Sequence, residues 1–223
     1  MAKPTGDIGP TRMSVVDAGS VDVAFEKIAF PKSKDEVESF IVEDFLATVT
    51  KALASQGETF IFGNPAKNVE NDFDFDVESK QGCAFLELME IAPLELFEGG
   101  YDKVPPKYKP YDLSQIVVQK ILGKAKRYSG KIGRPLFLLT YITHWGFTPS
   151  ESTIALLRYL LAQAKHPFNA VFLYSPIEKG FGDPRWLYPV PPELIAGVNP
   201  EQLKDNEVLN LDPAKWQAVK SGS

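Results

Sequence analysis

The sequence predicts an α/β fold of mixed, α+β-like character: a central mixed sheet flanked by helices, with an irregular, proline-rich C-terminal extension. Three observations carry this expectation. Residues 71–92 (NDFDFDVESKQGCAFLELMEIA) alternate acidic and apolar side chains around a glycine, the pattern of a β-hairpin. Two later runs, PLFLLTYIT at Pro135–Thr143 and NAVFLYS at Asn169–Ser175, are nearly continuously apolar and β-prone, as in strands covered on both faces. Amphipathic helical segments separate these strands, and a hairpin followed by α–β crossovers gives a mixed sheet with helices packed on it.

Size and composition set the outer bounds. The chain has 223 residues, of which 44% are hydrophobic, enough for a sizeable core. A net charge of −5 excludes indiscriminate nucleic-acid binding by the whole surface but leaves room for a local basic patch. The single cysteine, Cys83, excludes an internal disulfide, suits a reducing compartment, and opens an apolar strand as a small core residue. Two histidines are too few for a His-rich metal site. The longest apolar runs fall short of a bilayer span and the N-terminus lacks a signal-peptide pattern, so the expectation is a cytoplasmic protein with no membrane partner.

Taken in order, residues 1–20 are rich in Gly, Pro, Ser and Thr and read as a flexible arm. A single domain is expected over residues 21–176 and a packed extension over residues 177–223. Val21, Val23 and Phe25 suggest a short leading strand. Ser33-Lys34-Asp35-Glu36 is a capping box that starts a helix running to about Ser55, with Val37, Ile41, Phe45, Val49, Ala52 and Leu53 inward. Glu38 falls inside that apolar face, where the helix dipole favours a first-turn acid, while Glu43 points away. Glu58–Phe62 (ETFIF) reads as a strand.

The hairpin comes next. Asp72, Asp74 and Asp76 alternate with Phe73, Phe75 and Val77; on the second strand Glu87 shares a face with Phe85 and Met89. Three aspartates in a row repel one another, and either a bound cation or solvent exposure at a sheet edge would relieve this. A segment with tyrosines, lysines and prolines between Tyr101 and Tyr111 reads as an ordered exposed loop. Asp112–Ser129 is the second strong helix, burying Val118, Ile121, Leu122, Ala125 and Tyr128 and turning Lys120, Lys124 and Arg127 the other way. From Lys120 to Arg134, with Lys131 and Arg134 beyond the helix, there are six basic residues and no acidic one, the footprint of a polyanion-facing surface or of a solvated lysine face. His144 ends the next strand as a structural residue. Thr148-Pro149-Ser150-Glu151 starts a third helix, ended by His166-Pro167. From Pro176 onward, prolines argue against regular sheet interior.

With these elements in place, the chain resembles the PD-(D/E)XK nuclease-like superfamily, whose common core has the order αβββαβ, here roughly Ser33 to Thr143. The family's signature is an Asp near the start of the second strand, then a Glu or Asp two residues before a Lys on the third. Asn71-Asp72 stands at the Pro-Asp position, with Asp74 as a near alternative; Glu87-Leu88-Met89 stands at (D/E)-x-K, with Met89 in the lysine's place. Gln119 and Lys120 lie on the following helix, where some members carry a Gln or a relocated Lys, and Glu38 or Glu43 matches the acid that members often supply from the first helix.

The resemblance implies a Mg²⁺-dependent endonuclease. Asp72, Asp74, Glu87, Gln119 and Lys120 would form the catalytic set, Asp74 and Glu87 would hold the metal, and Lys124, Arg127, Lys131 and Arg134 would meet the phosphates of nucleic acid, DNA before RNA. A methionine cannot carry charge or exchange a proton. A catalytically degenerate form, acting as a nucleic-acid-binding module or as a protein-interaction module of the inhibitor or immunity type, is therefore the alternative expectation.

Overall fold

The computed structural model describes residues 6–17, 20–55, 63–68, 70, 72–79, 82–96, 104–128, 130 and 132–215. The strand expected at Glu58–Phe62 and the basic residue Lys131 lie outside them. The described chain runs β1 (Thr11–Asp17), β2 (Ser20–Phe25), α1 (Lys34–Ser55), β3 (Ala66–Lys67), β4 (Phe75–Ser79), β5 (Gly82–Glu90), β6 (Lys107–Tyr108), α2 (Pro110–Ala125), β7 (Leu136–Tyr141), α3 (Glu151–Gln163), β8 (Ala170–Glu178), β9 (Phe181–Tyr188), α4 (Pro200–Leu203) and β10 (Val208–Leu209).

Six of these strands form one mixed sheet in the order β3-β4-β5-β7-β8-β9. The central strands β5, β7 and β8 are parallel, and the outer ones pair antiparallel. Parallel strands need crossovers, and α2 and α3 supply them. Both lie on one face, where Val117, Ile121, Ile154, Leu157 and Leu161 pack against Leu136, Leu138, Val171 and Leu173. Helix α1 covers the opposite face, burying Val37, Ile41 and Phe45 against Val77, Leu86, Leu139 and Phe172. The α/β class and the helix-flanked mixed sheet expected from the sequence are thus present, and from α1 to β7 the order is helix, three strands of this sheet, the short β6 of a separate pair with β10, helix, strand.

Local chemistry explains the element boundaries. At α1 the capping box closes reciprocally: the Glu36 amide donates to Ser33 Oγ at 3.3 Å, and Ser33 Oγ donates to Glu36 Oε2 at 2.7 Å. Helix α2 begins at Pro110, two residues before the expected Asp112, because a proline at the first position forfeits no helical hydrogen bond. Helix α3 is capped by Ser150, whose Oγ accepts from the Thr153 amide at 3.3 Å, so the cap is the serine rather than Thr148. Gly82, at φ +128°, opens β5 out of the hairpin turn, in a conformation L residues rarely adopt.

Several expectations need correction. Residues 11–17 are not irregular: they form β1, paired with β2, and Arg12 bonds Glu26 at 2.9 Å and Glu178 at 2.8 Å. Regular sheet does not stop at Pro176, since β9 pairs with β8 as far as Tyr188. Pro184 is tolerated because β9 is an edge strand and needs ladder donors on one side only. Cys83 is exposed rather than a core residue. The turn between β8 and β9 is tied to α1 by Asp44, a buried carboxylate that accepts from both the Tyr174 hydroxyl and the Gly180 amide.

His166 gives the fold a pH dependence. Its ring packs edge-on against Tyr188, with centroids 4.6 Å apart, and burial lowers its pKa. A depressed folded-state pKa contributes stability above the unfolded value of about 6.5 and loses it as pH falls through the folded value. Between pH 7.5 and 5.5 the wild-type melting temperature is expected to fall more than that of His166→Phe; equal slopes in thermal melts would contradict this.

Candidate functional site

The site begins where β4 falls short. Strand β4 starts at Phe75, paired with Leu86, while β5 continues past its partner to Glu90. Residues 72–74 bend away instead of extending the ladder. The Leu88 amide and carbonyl, on the β4 side, are therefore left without strand partners and must be satisfied otherwise. Asp74 Oδ2 accepts from the Leu88 amide at 2.7 Å, and the Leu88 carbonyl accepts from Lys124 Nζ at 2.8 Å. A sheet edge has thus become a polar notch.

Glu87 forms its floor. Alternation along β5 turns it to the α2 side with Phe85 and Met89, as the sequence predicts, and it is only 2% exposed. Lys124 Nζ lies 2.5 Å from Glu87 Oε2 and 3.6 Å from Asp74 Oδ2. The Tyr128 side chain also faces Glu87 and helps to stabilise its charged form, and its ring stacks on Phe73, with centroids 5.5 Å apart. Burial raises the Glu87 pKa, with the Lys124 ammonium and Tyr128 opposing it. Burial, then the Glu87 carboxylate, holds the Tyr128 hydroxyl above its ordinary pKa and so protonated.

From this notch a cleft of about 400 Å³ opens between α1 and α2, lined by Lys34, Glu38, Met89, Lys120, Lys124 and Arg127 among others. Glu38 is buried on α1 and pairs with Lys34 at 3.2 Å and Lys67 at 3.8 Å; its attraction raises the Lys34 pKa. Glu90 closes one side, its Oε1 accepting from Thr143 Oγ1 at 2.7 Å.

The structure redistributes the candidate residues. Asp74, Glu87 and Lys124 meet. Asp72 does not join them: it is exposed in the bend before β4. The same bend turns Phe73 inward to stack on Phe85 at 4.0 Å, so the three aspartates do not form one row. Asp76 pairs instead with Asn68 at 2.7 Å and Arg134 at 3.3 Å. Gln119 is exposed and lies about 140° around the helix from Lys124. Lys120 stands one turn earlier, at the cleft rim, where Glu95 binds it at 2.9 Å; it does not reach the carboxylates. Arg127 lines the same cleft as Lys124, whereas Arg134 lies over the Phe85 ring and lines a separate cleft beside the hairpin. Glu43 is exposed on α1 and lines a different cleft.

Lys124 is the site residue whose role differs most from the sequence expectation. It belongs not to an outward basic face but to the notch, with its side chain 15% exposed. A signal for this exists in the sequence: Val117, Ile121, Lys124 and Tyr128 follow the i, i+4, i+7, i+11 stripe of a buried helix face.

The donor set suits a hard divalent cation. Two carboxylates and one main-chain carbonyl converge on a single positive charge, and Mg²⁺ typically takes one or two carboxylates and keeps several waters. Among the described residues no three His, Cys, Asp or Glu side chains are grouped to hold a metal, so water would complete any coordination here. Among them too, no helix is long and apolar enough to cross a membrane. Comparison of the chain with protein-family models, with curated proteins and with solved structures returned no match.

Proposed function

We propose that this chain is a divergent member of the PD-(D/E)XK nuclease-like superfamily that hydrolyses phosphodiester bonds of nucleic acid with Mg²⁺. One observation carries the reading: Asp74, Glu87 and the Leu88 carbonyl converge on Lys124 at the head of a cleft edged by Lys34, Lys120 and Arg127. Asp74 and Glu87 fill the family's acidic positions, and Lys124 supplies from α2 the ammonium that Met89 cannot. Asp74, Glu87 and the Leu88 carbonyl would hold the metal, which supplies Lewis-acid stabilisation of charge on the phosphate oxygens.

The chain's own residues do the rest. Lys124 Nζ, able to donate three hydrogen bonds, orients the attacking water and offsets negative charge as the phosphorane-like centre forms. Tyr128, whose hydroxyl stays protonated beside the Glu87 carboxylate, packs against that side of the site. Lys120 and Arg127 receive the flanking phosphates, and Met89 gives the cleft an apolar wall. The direct test is hydrolysis of single- and double-stranded DNA and RNA by the wild-type chain in Mg²⁺ or Mn²⁺, against EDTA. Metal-dependent cleavage is expected; none on any substrate overturns the reading.

A second reading, a nuclease-like fold that binds nucleic acid without cutting it, is favoured by the Lys124 ammonium, which already balances the acids. In either case binding at the cleft should weaken with salt. Changing Lys120 and Arg127 together to Glu is expected to lower the slope of log K against log[salt] by roughly 2, about 0.9 for each duplex phosphate no longer neutralised. Filter binding across a salt series measures this, and an unchanged slope would remove both residues from the interface.

A further inference from the structure

The proposed metal position already contains a cation. Lys124 Nζ donates to the Leu88 carbonyl at 2.8 Å and lies 2.5 Å from Glu87 Oε2 and 3.6 Å from Asp74 Oδ2. These are the three oxygens that would hold Mg²⁺. An ammonium and a divalent ion cannot share them, because like charges at such a separation repel strongly where solvent screening is weak. We infer that Lys124 is an internal competitor for the metal, so that a divalent cation binds only by displacing this ammonium into the adjoining cleft. The inference rests on the proposed reading of the site and adds how its loading is controlled.

Three features make displacement feasible. Lys124 reaches the notch along a flexible four-carbon stem from the edge of α2, and its side chain keeps 15% exposure, so it is not sealed in. The cleft lined by Lys34, Glu38, Glu90, Lys120, Arg127 and Lys124 itself begins beside the ammonium and gives it room to move out toward solvent. The oxygens are positioned without it: Asp74 Oδ2 is held by the Leu88 amide at 2.7 Å, and Glu87 is buried on β5. A pre-formed cage with a mobile occupant exchanges one cation for another without refolding.

The arrangement also assigns Lys124 two states. Seated, it balances the carboxylates and keeps the metal-free fold stable, since a buried acid that loses its partner is costly. Displaced, it stands next to the metal position with its charge facing the cleft, where the reaction needs it. Metal affinity is therefore lower than the same oxygens would give alone, and loading is favoured when a polyanionic substrate in the cleft attracts the released ammonium.

The experiment compares the wild-type chain with Lys124→Met and Lys124→Gln, using MnCl₂ alone as the probe. Titration calorimetry at pH 7 should show both variants binding Mn²⁺ at least about ten-fold more tightly, as loss of one adjacent positive charge requires. Thermal melts supply a second readout. Both variants should melt below wild type without metal and recover with Mn²⁺, while wild type shifts less. A variant that folds only when Mn²⁺ is present also supports the inference. Adding Glu87→Gln to Lys124→Met should abolish the gain. Equal or weaker Mn²⁺ binding by both single variants, or a gain that persists in the double variant, overturns the inference. Neither result depends on cleavage: absence of wild-type hydrolysis with tighter metal binding by the variants removes the nuclease reading alone.

Discussion

Glu87→Gln is expected to lower metal-dependent hydrolysis by about 10³-fold or more while leaving the chain folded. The substitution keeps the volume of the side chain and one acceptor oxygen, while it removes the charge and turns the other oxygen into an NH₂ donor. A carboxylate that both holds a cation and faces the reacting phosphate contributes several kcal/mol of transition-state stabilisation, hence a loss of about this size. Stability responds less. Stranding the partner of a fully buried ion pair costs about 3–5 kcal/mol. Here the partner, Lys124, sits at the mouth of a cleft and swings into water, so the cost should be nearer 1 kcal/mol. Asp76→Asn is the matched control. Asp76 lies on the same hairpin but pairs with Arg134 and Asn68 beside another cleft, and its loss should leave hydrolysis near wild type. Rates measured in Mg²⁺ alongside thermal melts separate the outcomes. Retained activity in Glu87→Gln would remove this residue from the chemistry.

Asp44→Ala is expected to be the most damaging of the polar substitutions to the fold, by about 3 kcal/mol. Asp44 is 5% exposed and satisfies two donors from a distant part of the chain, the Tyr174 hydroxyl and the Gly180 amide. Deleting it leaves the buried Tyr174 hydroxyl with Thr48 alone and unties the amide of Gly180 in its exposed turn, at about 1–3 kcal/mol for each donor left unpaired, less where water enters. For a chain of this length the melting temperature should fall by roughly 6–10 °C. Tyr174→Phe removes one donor and leaves Asp44 with Gly180, so it should cost about half as much. Thr48 Oγ1 lies 3.1 Å from the Tyr174 hydroxyl and is positioned to satisfy it in part when Asp44 is absent. A melting temperature unchanged in Asp44→Ala would mean that α1 and the β8–β9 turn are not coupled through this carboxylate.

What the sequence made legible follows from which interactions are local. Alternation along β5 gave the facing of Glu87, because strand periodicity is a property of consecutive residues. The capping box at Ser33 and the apolar runs of β7 and β8 are local in the same sense. The choice between Asp72 and Asp74 was not legible, since it depends on the chain leaving the ladder after Phe75, where Phe73 gains more by stacking on Phe85 and Tyr128 than by extending β4. Nor was the choice between Lys120 and Lys124. They lie one turn apart on α2, and only the docking of that helix over the open sheet edge decides which ammonium reaches Glu87. Strand β9 was hidden by Pro184, whose cost is small at a sheet edge. The nuclease reading remains a proposal drawn from the arrangement of Asp74, Glu87 and Lys124.

The start of α2 is fastened by residues made long after it. Strand β6, just ahead of the helix, pairs with β10, and Asn210 donates through its amide to the Pro106 carbonyl at 2.8 Å and through Nδ2 to the Pro105 carbonyl at 2.9 Å. Lys107 pairs with Glu207, and Lys109 with Asp205 at 3.1 Å. This clasp spans about a hundred positions of sequence, such as the 105 between Pro105 and Asn210. The clasp ahead of the helix that carries Lys124 therefore closes late in synthesis, although the helix body packs on Leu136, Leu138 and Leu173 without it. Until residue 210 has emerged from the ribosome, the nascent sheet can form from β4 to β9 while the notch above Glu87 lacks its anchored lid. The order of translation thus postpones closing of this clasp until the rest of the domain is in place.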